Sequence, residues 1–392
     1  MLRHLIILFI ICSCVSSQLL NLAEGSTCMR NGTSGKCVSI YNCVSSYLDF
    51  VNKDYAPICS FQGKEPIICC TDCIFNDTRN FFINSNLGIL RKTGQKAQDK
   101  CIEFMHRLDY ACKGLHLLSM TRLYQPDRNC NELRIRQVEG SYGGVGGTDV
   151  SRLEAPHMAL LGYGPDVSKA DWLCGGTVIS ERFILTAGHC LSSPTVGPVK
   201  YITLGILKRT DPPELWQIYY VNRRIPHPEY KPPSQYHDIA LLETDTEIFF
   251  SRAVLPACLH ASGEAEENLF ALGWGALGYK RELADILQEV EVRKYEKDEC
   301  SQHYTPYRHL ENGYNHTTQM CYGDKEVLRD TCEGDSGGPL QDFRNKYFER
   351  IYCIKTVVGV TSSGKQCGIT HSPGIYTRVI YYIPWIESVV WP

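Results

Sequence analysis

Six cysteines, Cys28, Cys37, Cys43, Cys59, Cys69 and Cys70, fall within 70 − 28 + 1 = 43 residues, and nothing else in the chain restricts its folding as tightly. That segment has too few large apolar side chains to hold a core by burial alone, so disulfides must hold it. Six cysteines allow fifteen pairings, and spacing does not choose among them. Staples of this kind need an oxidising compartment. The N-terminus supplies the route. Arg3 and His4 precede the apolar run Leu5 to Cys12, and Val15, Ser16 and Ser17 suit signal peptidase, so residues 1–17 read as a signal peptide cleaved after Ser17. The apolar run is well short of the roughly 20 residues that a membrane span needs. Loss of Cys12 and Cys14 with the signal leaves 20 − 2 = 18 cysteines, an even number that suits a full disulfide set. The sequons at Asn31, Asn76 and Asn315 fit the same secreted, extracellular destination. Paired CxxC knuckles with zinc-site spacing are absent, so neither a metal nor a cofactor is expected.

The 392 residues allow two or three domains, and a formal net charge of −3 is too small for electrostatic capture of nucleic acid. From Thr71 to Gly143 the pattern is mixed. It contains the basic run RKTGQKAQDK, a helix expected around Lys96 to Leu108, and polar stretches near Pro126 to Asn131, and it reads as a linker or propeptide. Beyond Gly147 the texture changes to short β-rich runs, WLCGGTVIS, FILTA, KYITLGIL and VVGVTSSG, separated by Gly, Pro, Asn and Asp turns. Many short strands predict a barrel or sandwich. YYIPWIESVVW reads as a closing amphipathic helix.

Three separated motifs carry hydrolytic chemistry: His189 in LTAGHC, Asp238 in HDIAL and Ser336 in CEGDSGGPL. A nucleophile, a base to take its proton and a carboxylate to orient that base are what acyl transfer requires. Taken singly, His189 is as readily a satisfied core histidine, and Asp238 a surface charge or helix cap. GDSGGP is more specific, because glycines on both sides let the backbone turn sharply and aim Gly334 N–H and Ser336 N–H at one point, where an oxyanion can be stabilised. The order His, Asp, Ser, with spacings 238 − 189 = 49 and 336 − 238 = 98, is one of three known arrangements of such a triad.

On these motifs, residues 144–392 resemble a trypsin-like serine protease of the chymotrypsin family. The order of the six N-terminal cysteines, ending in the adjacent pair Cys69-Cys70, resembles the clip domain that precedes arthropod extracellular serine proteases, the snake-like type among them. The resemblance implies an all-β fold of two six-stranded antiparallel β-barrels with a C-terminal helix, behind a disulfide-stapled clip domain at 28–70. It implies His189 as general base, Asp238 holding its tautomer, Ser336 as nucleophile, and Gly334 with Ser336 as the oxyanion hole. The residue six before the nucleophile, Asp330, falls at the base of the family's primary pocket, where a carboxylate selects Arg or Lys, and Gly364 and Gly374 match its walls. Ser363 departs from the pattern, since many relatives carry an aromatic residue there. The implied disulfides are Cys28–Cys69, Cys37–Cys59, Cys43–Cys70, Cys174–Cys190, Cys300–Cys321 and Cys332–Cys367. Cys258 is expected to join the linker at Cys101, with Cys130 as runner-up, and Cys73, Cys112, Cys130 and Cys353 have no assigned partner.

The stretch SYGGVGGTDV, residues 141–150, admits a hinge, a phosphate loop or a cleavage seam. No Lys-Ser/Thr follows the glycines, which argues against a phosphate loop. In the resembled family a basic residue precedes a new N-terminus of the type Ile-Val-Gly-Gly, whose amine pairs with the aspartate before the nucleophile, here Asp335. VGGTDV matches the body of that motif, and Gly144 lies 156 − 144 = 12 residues before Pro156, which places the seam at Gly143-Gly144 or one bond later. The basic residue is missing. Arg136 is the nearest, and a cut there leaves 144 − 137 = 7 extra residues and a Gln137 amine that can cyclise. A cut by a protease without tryptic specificity, or a linker cut followed by trimming, is therefore expected. The implied partners are protein substrates, other zymogens among them, an upstream activating protease and serpin-type inhibitors, with no nucleic acid and no membrane. Two other readings stand beside the endopeptidase: a non-catalytic clip-domain partner that positions other proteases, whose usual mark is a lost triad residue, and a venom or digestive trypsin.

Overall fold

The computed structural model describes residues 20–30, 33–40, 43, 56–62, 65–70, 93–107, 147–150, 154–251, 253–324, 331–342, 355–365 and 372–392. The expected signal peptide, Asn31, Asn76, Cys73, Cys112, Cys130, Cys353 and Cys367 lie outside them. The chain divides into two compact units, the first N-terminal and disulfide-rich, the second holding residues 93–107 and everything from Gly147 onward. Among the described residues no helix is long and apolar enough to cross a membrane.

The first unit is one antiparallel sheet in the order β1-β2-β4-β3, with β1 Thr27–Arg30, β2 Thr33–Ser39, β3 Ile58–Gln62 and β4 Glu65–Cys70. Successive side chains on a strand point to opposite faces, so the adjacent cysteines of β4 serve two different clusters. Cys69 packs with Cys28, Cys37, Cys59 and Ile67 on one face, and Cys70 with Cys43, Ala56 and Ile68 on the other. The disulfides are Cys28–Cys69, Cys37–Cys59 and Cys43–Cys70. Both clusters are small, and cysteine supplies most of what is fully buried in them.

In the second unit, helix α1 (Lys96–Arg107) lies within the stretch expected to act as a linker, near the expected bounds. Its first turn is closed by Asp99, which accepts from Thr93 N–H at 2.6 Å and Gly94 N–H at 3.2 Å. Ala97, Cys101 and Phe104, at positions i, i+4 and i+7, form the buried stripe of one helical face. Cys101 is bonded to Cys258, and Phe104 meets Phe250 edge-on at 5.9 Å. This part of the stretch is thus docked on the catalytic unit and is more than a tether.

Two closed six-stranded antiparallel barrels follow. The first uses β6 (Met158–Tyr163), β7 (Asp171–Val178), β8 (Phe183–Thr186), β10 (Gly197–Leu204), β11 (Gln217–Pro226) and β12 (Ala240–Thr244). The β10–β11 pairing closes the ring, β9 (Ser192–Ser193) hangs on β10, and β5 (Thr148–Asp149) precedes the barrel in the chain. The second uses β14 (Asn268–Gly273), β15 (Gln288–Lys294), β16 (Gln319–Gly323), β17 (Pro339–Asp342), β18 (Thr356–Ser363) and β19 (Gly374–Arg378), closed by β18–β19. Here β13 (Cys258–Leu259) adds in parallel to β18, and β5 pairs β15. Helix α2 (Lys297–His303) leads toward β16, and α3 (Val379–Val390) closes the chain. The buried face of α3, Val379, Tyr382, Ile383, Ile386 and Val390, belongs to the same core as Ile184, Leu185, Ile202 and Leu241 of the first barrel. A second core of Leu269, Val292, Tyr322, Leu340 and Tyr376 fills the other barrel. Leu160, Ile206, Leu272, Trp274 and Leu287 join the two, with the Trp274 indole N–H donating to Leu207 O at 2.9 Å.

Candidate active site

Strand β8 is buried along its whole length and ends in the 3-10 turn Gly188–Leu191, which carries His189. A β-carbon at Gly188 would sit 2.7 Å from the ring of Tyr230, so glycine is needed for this turn to close. Asp238, just before β12, is buried. Its Oδ1 accepts from His189 N–H at 2.8 Å, and its Oδ2 lies 2.8 Å from His189 Nδ1. Ser362 Oγ donates to Oδ2 at 2.6 Å, and Thr377 Oγ1 donates to the Asp238 carbonyl at 2.8 Å. Strands β18 and β19 of the second barrel therefore fix a carboxylate that the first barrel presents. Burial pulls the His189 pKa down, but the charge of Asp238 and its hydrogen bond outweigh that and leave it raised.

Ser336 lies on the loop before β17, half-buried. Gly334 and Gly337 flank it at φ 101° and 77°, in the left-handed region that glycine enters freely. A β-carbon at Gly337 would meet Thr186 Oγ1 at 2.2 Å and one at Gly338 would meet Leu272 O at 2.6 Å, so the loop is seated between β8 and β14. Ser336 O accepts from Gly175 N–H of β7 at 2.8 Å. The Cys174–Cys190 disulfide ties β7 to the turn bearing His189. Among the described residues, Gly334 N–H and Ser336 N–H have no protein acceptor. His189 Nε2 lies 3.7 Å from Cys190 Sγ.

This acid–imidazole pair, with a serine on a glycine-bounded loop at the junction of two barrels, is equipped for acyl transfer, and the chain matches the trypsin family model over residues 144–386. The chain belongs to the trypsin family of serine proteases. Serine protease snk of Drosophila melanogaster is 31% identical over 377 residues, covering 94% of this chain and 79% of that protein. Melanization protease 1 of the same organism is 34% identical over 300 residues, 69% of this chain and 70% of that one. CLIP domain-containing serine protease C9 of Anopheles gambiae is 35% identical over 248 residues, 60% of this chain and 65% of that one.

The remaining trypsin-family positions are distributed unevenly. Asp330 lies outside the described residues, but its neighbour Thr331 has its hydroxyl 3.3 Å from that of Tyr376 on β19. The β18–β19 register pairs Ser363 with Ile375; Gly364 follows the end of β18, and Gly374 begins β19, paired with Tyr322 of β16. Cys300–Cys321 is formed; Cys332 is disulfide-bonded. Asn315 lies in the turn before β16, its side chain accepting from Thr317 N–H at 3.0 Å. Asp335 is buried. Its Oδ1 accepts from Gly275 N–H at 2.7 Å and its Oδ2 from Cys332 N–H at 2.8 Å, yet burial outweighs both bonds and pushes its pKa up to about 6. Gly143 and Gly144 lie outside the described residues. Sequence reasoning missed Ser362, Thr377 and Tyr230: nothing in SSG, YTR or PEY marks them as neighbours of the acid–imidazole pair, which chain folding alone brings together.

Proposed function

We propose that this chain is the secreted precursor of an endopeptidase that cuts proteins after Arg or Lys. The observation that carries the reading is the doubly anchored His189–Asp238 pair beside the Ser336 loop. His189 takes the Ser336 Oγ proton as the alcohol attacks the scissile carbonyl, then returns it to the leaving amine. Asp238 keeps the imidazole in the tautomer that does this, and Ser362 keeps Asp238 in place. Gly334 N–H and Ser336 N–H take the oxyanion. Asp330 at the pocket base pairs with the substrate cation between Gly364 and Gly374.

Activation follows from the register of β5. Asp149 pairs with Gln288, and Gln288 with Gly273, where an added β-carbon would meet Asp335 Oδ1 at 2.0 Å. Two strand spacings are about 10 Å. From Thr148 back to Gly144 is four residues, about 13 Å of extended chain, so an amine at Gly144 reaches Asp335. A terminus at Gln137 adds up to about 23 Å of chain that must loop out. An intact acid–imidazole pair gives no support to a non-catalytic clip-domain partner. The N-terminal disulfide unit and the relatives' names support an extracellular cascade, with protein substrates, an upstream activating protease and serpin-type inhibitors as partners.

The test is to treat the secreted precursor separately with trypsin and with an elastase-like protease, sequence the new N-termini, titrate active sites and compare Arg, Lys and uncharged amide substrates. A new terminus at Gly144 or Val145 and turnover confined to Arg and Lys are expected. Full activation by trypsin at Arg134 or Arg136 without trimming would overturn the glycine seam. Equal loss of both substrate classes in Asp330→Ser would overturn the specificity.

A further inference from the structure

Among the described residues, three groups gather enough His, Cys, Asp or Glu to hold a metal ion. Two of them, Cys28 with Cys37 and Cys59, and Cys174 with His189 and Cys190, spend their cysteines in disulfides. The third, His227, Glu229 and His237, has ligand atoms within 4.8 Å of one another and includes no cysteine, with His227 Nδ1 accepting from Glu229 N–H at 3.3 Å and His237 Nδ1 3.0 Å from Tyr382 Oη. We propose that His227, Glu229 and His237 bind a divalent transition metal of the zinc type, and that its binding lowers turnover by shifting the chain on both sides of the His189–Asp238 pair.

The donor set selects the metal. Two imidazoles and one carboxylate suit zinc, with a fourth position left to water, and suit calcium or magnesium poorly. The two rings are stacked, their centroids 5.4 Å apart and their planes 13° from parallel. Glu229 Oε2 is 3.8 Å from His237 Nδ1, and its side chain is 64% exposed, free to swing inward. Tetrahedral ligands at about 2.0–2.1 Å from zinc stand roughly 3.3 Å from one another, so the group must tighten from 4.8 Å by about 1.5 Å. Tyr382 Oη, 3.0 Å from His237 Nδ1, shares that atom with Glu229, so a metal held there displaces its hydrogen bond, and Trp385 and Tyr382 wall the His227 ring at 5.0 and 4.9 Å.

That tightening does not stay local. His237 immediately precedes Asp238 and sits at φ 54°, a left-handed conformation that a residue with a β-carbon holds only under constraint. Ile239 N–H donates to His237 O at 2.8 Å across Asp238, and His227 N–H donates to Ile239 O at 3.0 Å. On the other side, Tyr230 N–H donates to His227 O at 2.9 Å. The Tyr230 ring fills the space that a side chain at Gly188, next to His189, would need. Drawing Glu229 and His237 together therefore pulls on the residue before Asp238 and on the ring against the His189 turn. The groups displaced are the base and the carboxylate that orients it, so the loss is expected in kcat.

The effect on rate rests on the catalytic reading of His189 and Asp238, and the binding does not. Binding is measured first, by calorimetry with zinc chloride on the precursor carrying Ser336→Ala. One saturable site is expected, weakened at least about tenfold in Glu229→Gln and in His227→Gln, each checked for an unchanged thermal midpoint. With 12 histidines in the chain, unspecific zinc binding would survive both variants, and that result would overturn the site. Turnover of an Arg amide by the activated enzyme is then followed against zinc, with calcium and magnesium as controls and EDTA to reverse. A fall in kcat of about tenfold or more with KM nearly constant, shifted to higher zinc in Glu229→Gln, is expected. A rise in KM alone, or unchanged kcat with the site filled, would overturn the coupling.

Discussion

At the scale of single residues, catalysis depends on charges held where water cannot rearrange them. Asp238 is held by His189 N–H and Ser362 Oγ as well as by the imidazole, so the ring has one orientation available. Replacing the alcohol in Ser336→Ala is expected to cost at least about a thousandfold in kcat/KM on Arg amides, with secretion and disulfide content unchanged. Active-site titration of the purified variant checks this. Because the His189 pKa is raised and catalysis needs the neutral ring, kcat/KM is expected to rise with pH through a midpoint above the ordinary 6.5. Asp238→Asn removes the charge that raises it. Its midpoint should fall, and turnover should drop by about 10⁴-fold, measured as full pH–rate profiles of both enzymes. Asp335 has the opposite requirement. Its acid is harder to ionise folded than unfolded, so the folded precursor binds the extra proton between the ordinary carboxylate range and about 6, and Asp335 subtracts from stability as pH rises through that window. Asp335→Asn should therefore gain thermal stability relative to the parent precursor at pH 8 compared with pH 5, by on the order of 1 kcal/mol, the one pH unit between pH 5 and the folded pKa of about 6. Melts at both pH values test the sign.

At the scale of elements, two short pieces of chain settle what the barrels alone leave open. The nucleophile loop is seated by glycines that admit Thr186 and Leu272 O where a side chain would stand. Helix α1 is fixed by Cys101–Cys258, by Phe104 against Phe250, and by Ala97 N–H donating to Glu387 Oε1 of α3 at 2.7 Å. If the chain is cut at the proposed seam, a fragment bonded this way would stay with the second unit. Phe104 is 3% exposed, so Phe104→Ala is expected to cost about 3 kcal/mol, read as a lower thermal midpoint of the catalytic unit. An unchanged midpoint would mean that α1 is a passenger. The helix was expected near these bounds and its bond from Cys101 to Cys258 was implied by the resemblance, but its packing on Phe250 and Glu387 was not legible, because those residues lie far along the chain.

At the scale of the whole molecule, Asp335 keeps its buried carboxylate on two backbone N–H groups, and the activation proposed above would give it an amine. A terminus at Gly144, with glycine where the resembled family has isoleucine, would forgo about 1.5–3 kcal/mol of burial. Gly144→Ile, cut at the same bond, should raise the active population by roughly 10- to 150-fold where the parent is incompletely active, measured by active-site titration against total cut chain. An equal titre in both would place the limit elsewhere. The sequence by itself pointed to a barrel or sandwich, to a disulfide-held segment and to a glycine-bounded Ser336 loop, because short β-runs between turn residues, clustered cysteines and flanking glycines leave local marks; the two-barrel architecture and the cysteine pairings were implied by the family resemblance, and the structure shows both. Only the tertiary structure decided that Ser362 and Thr377 would hold Asp238, that β5 would pair with β15 next to the strand whose Gly273 meets Asp335, and that His227 and Glu229 would stand beside His237. Those are contacts between distant strands, and their free energy comes from closing the barrels, which no local pattern encodes.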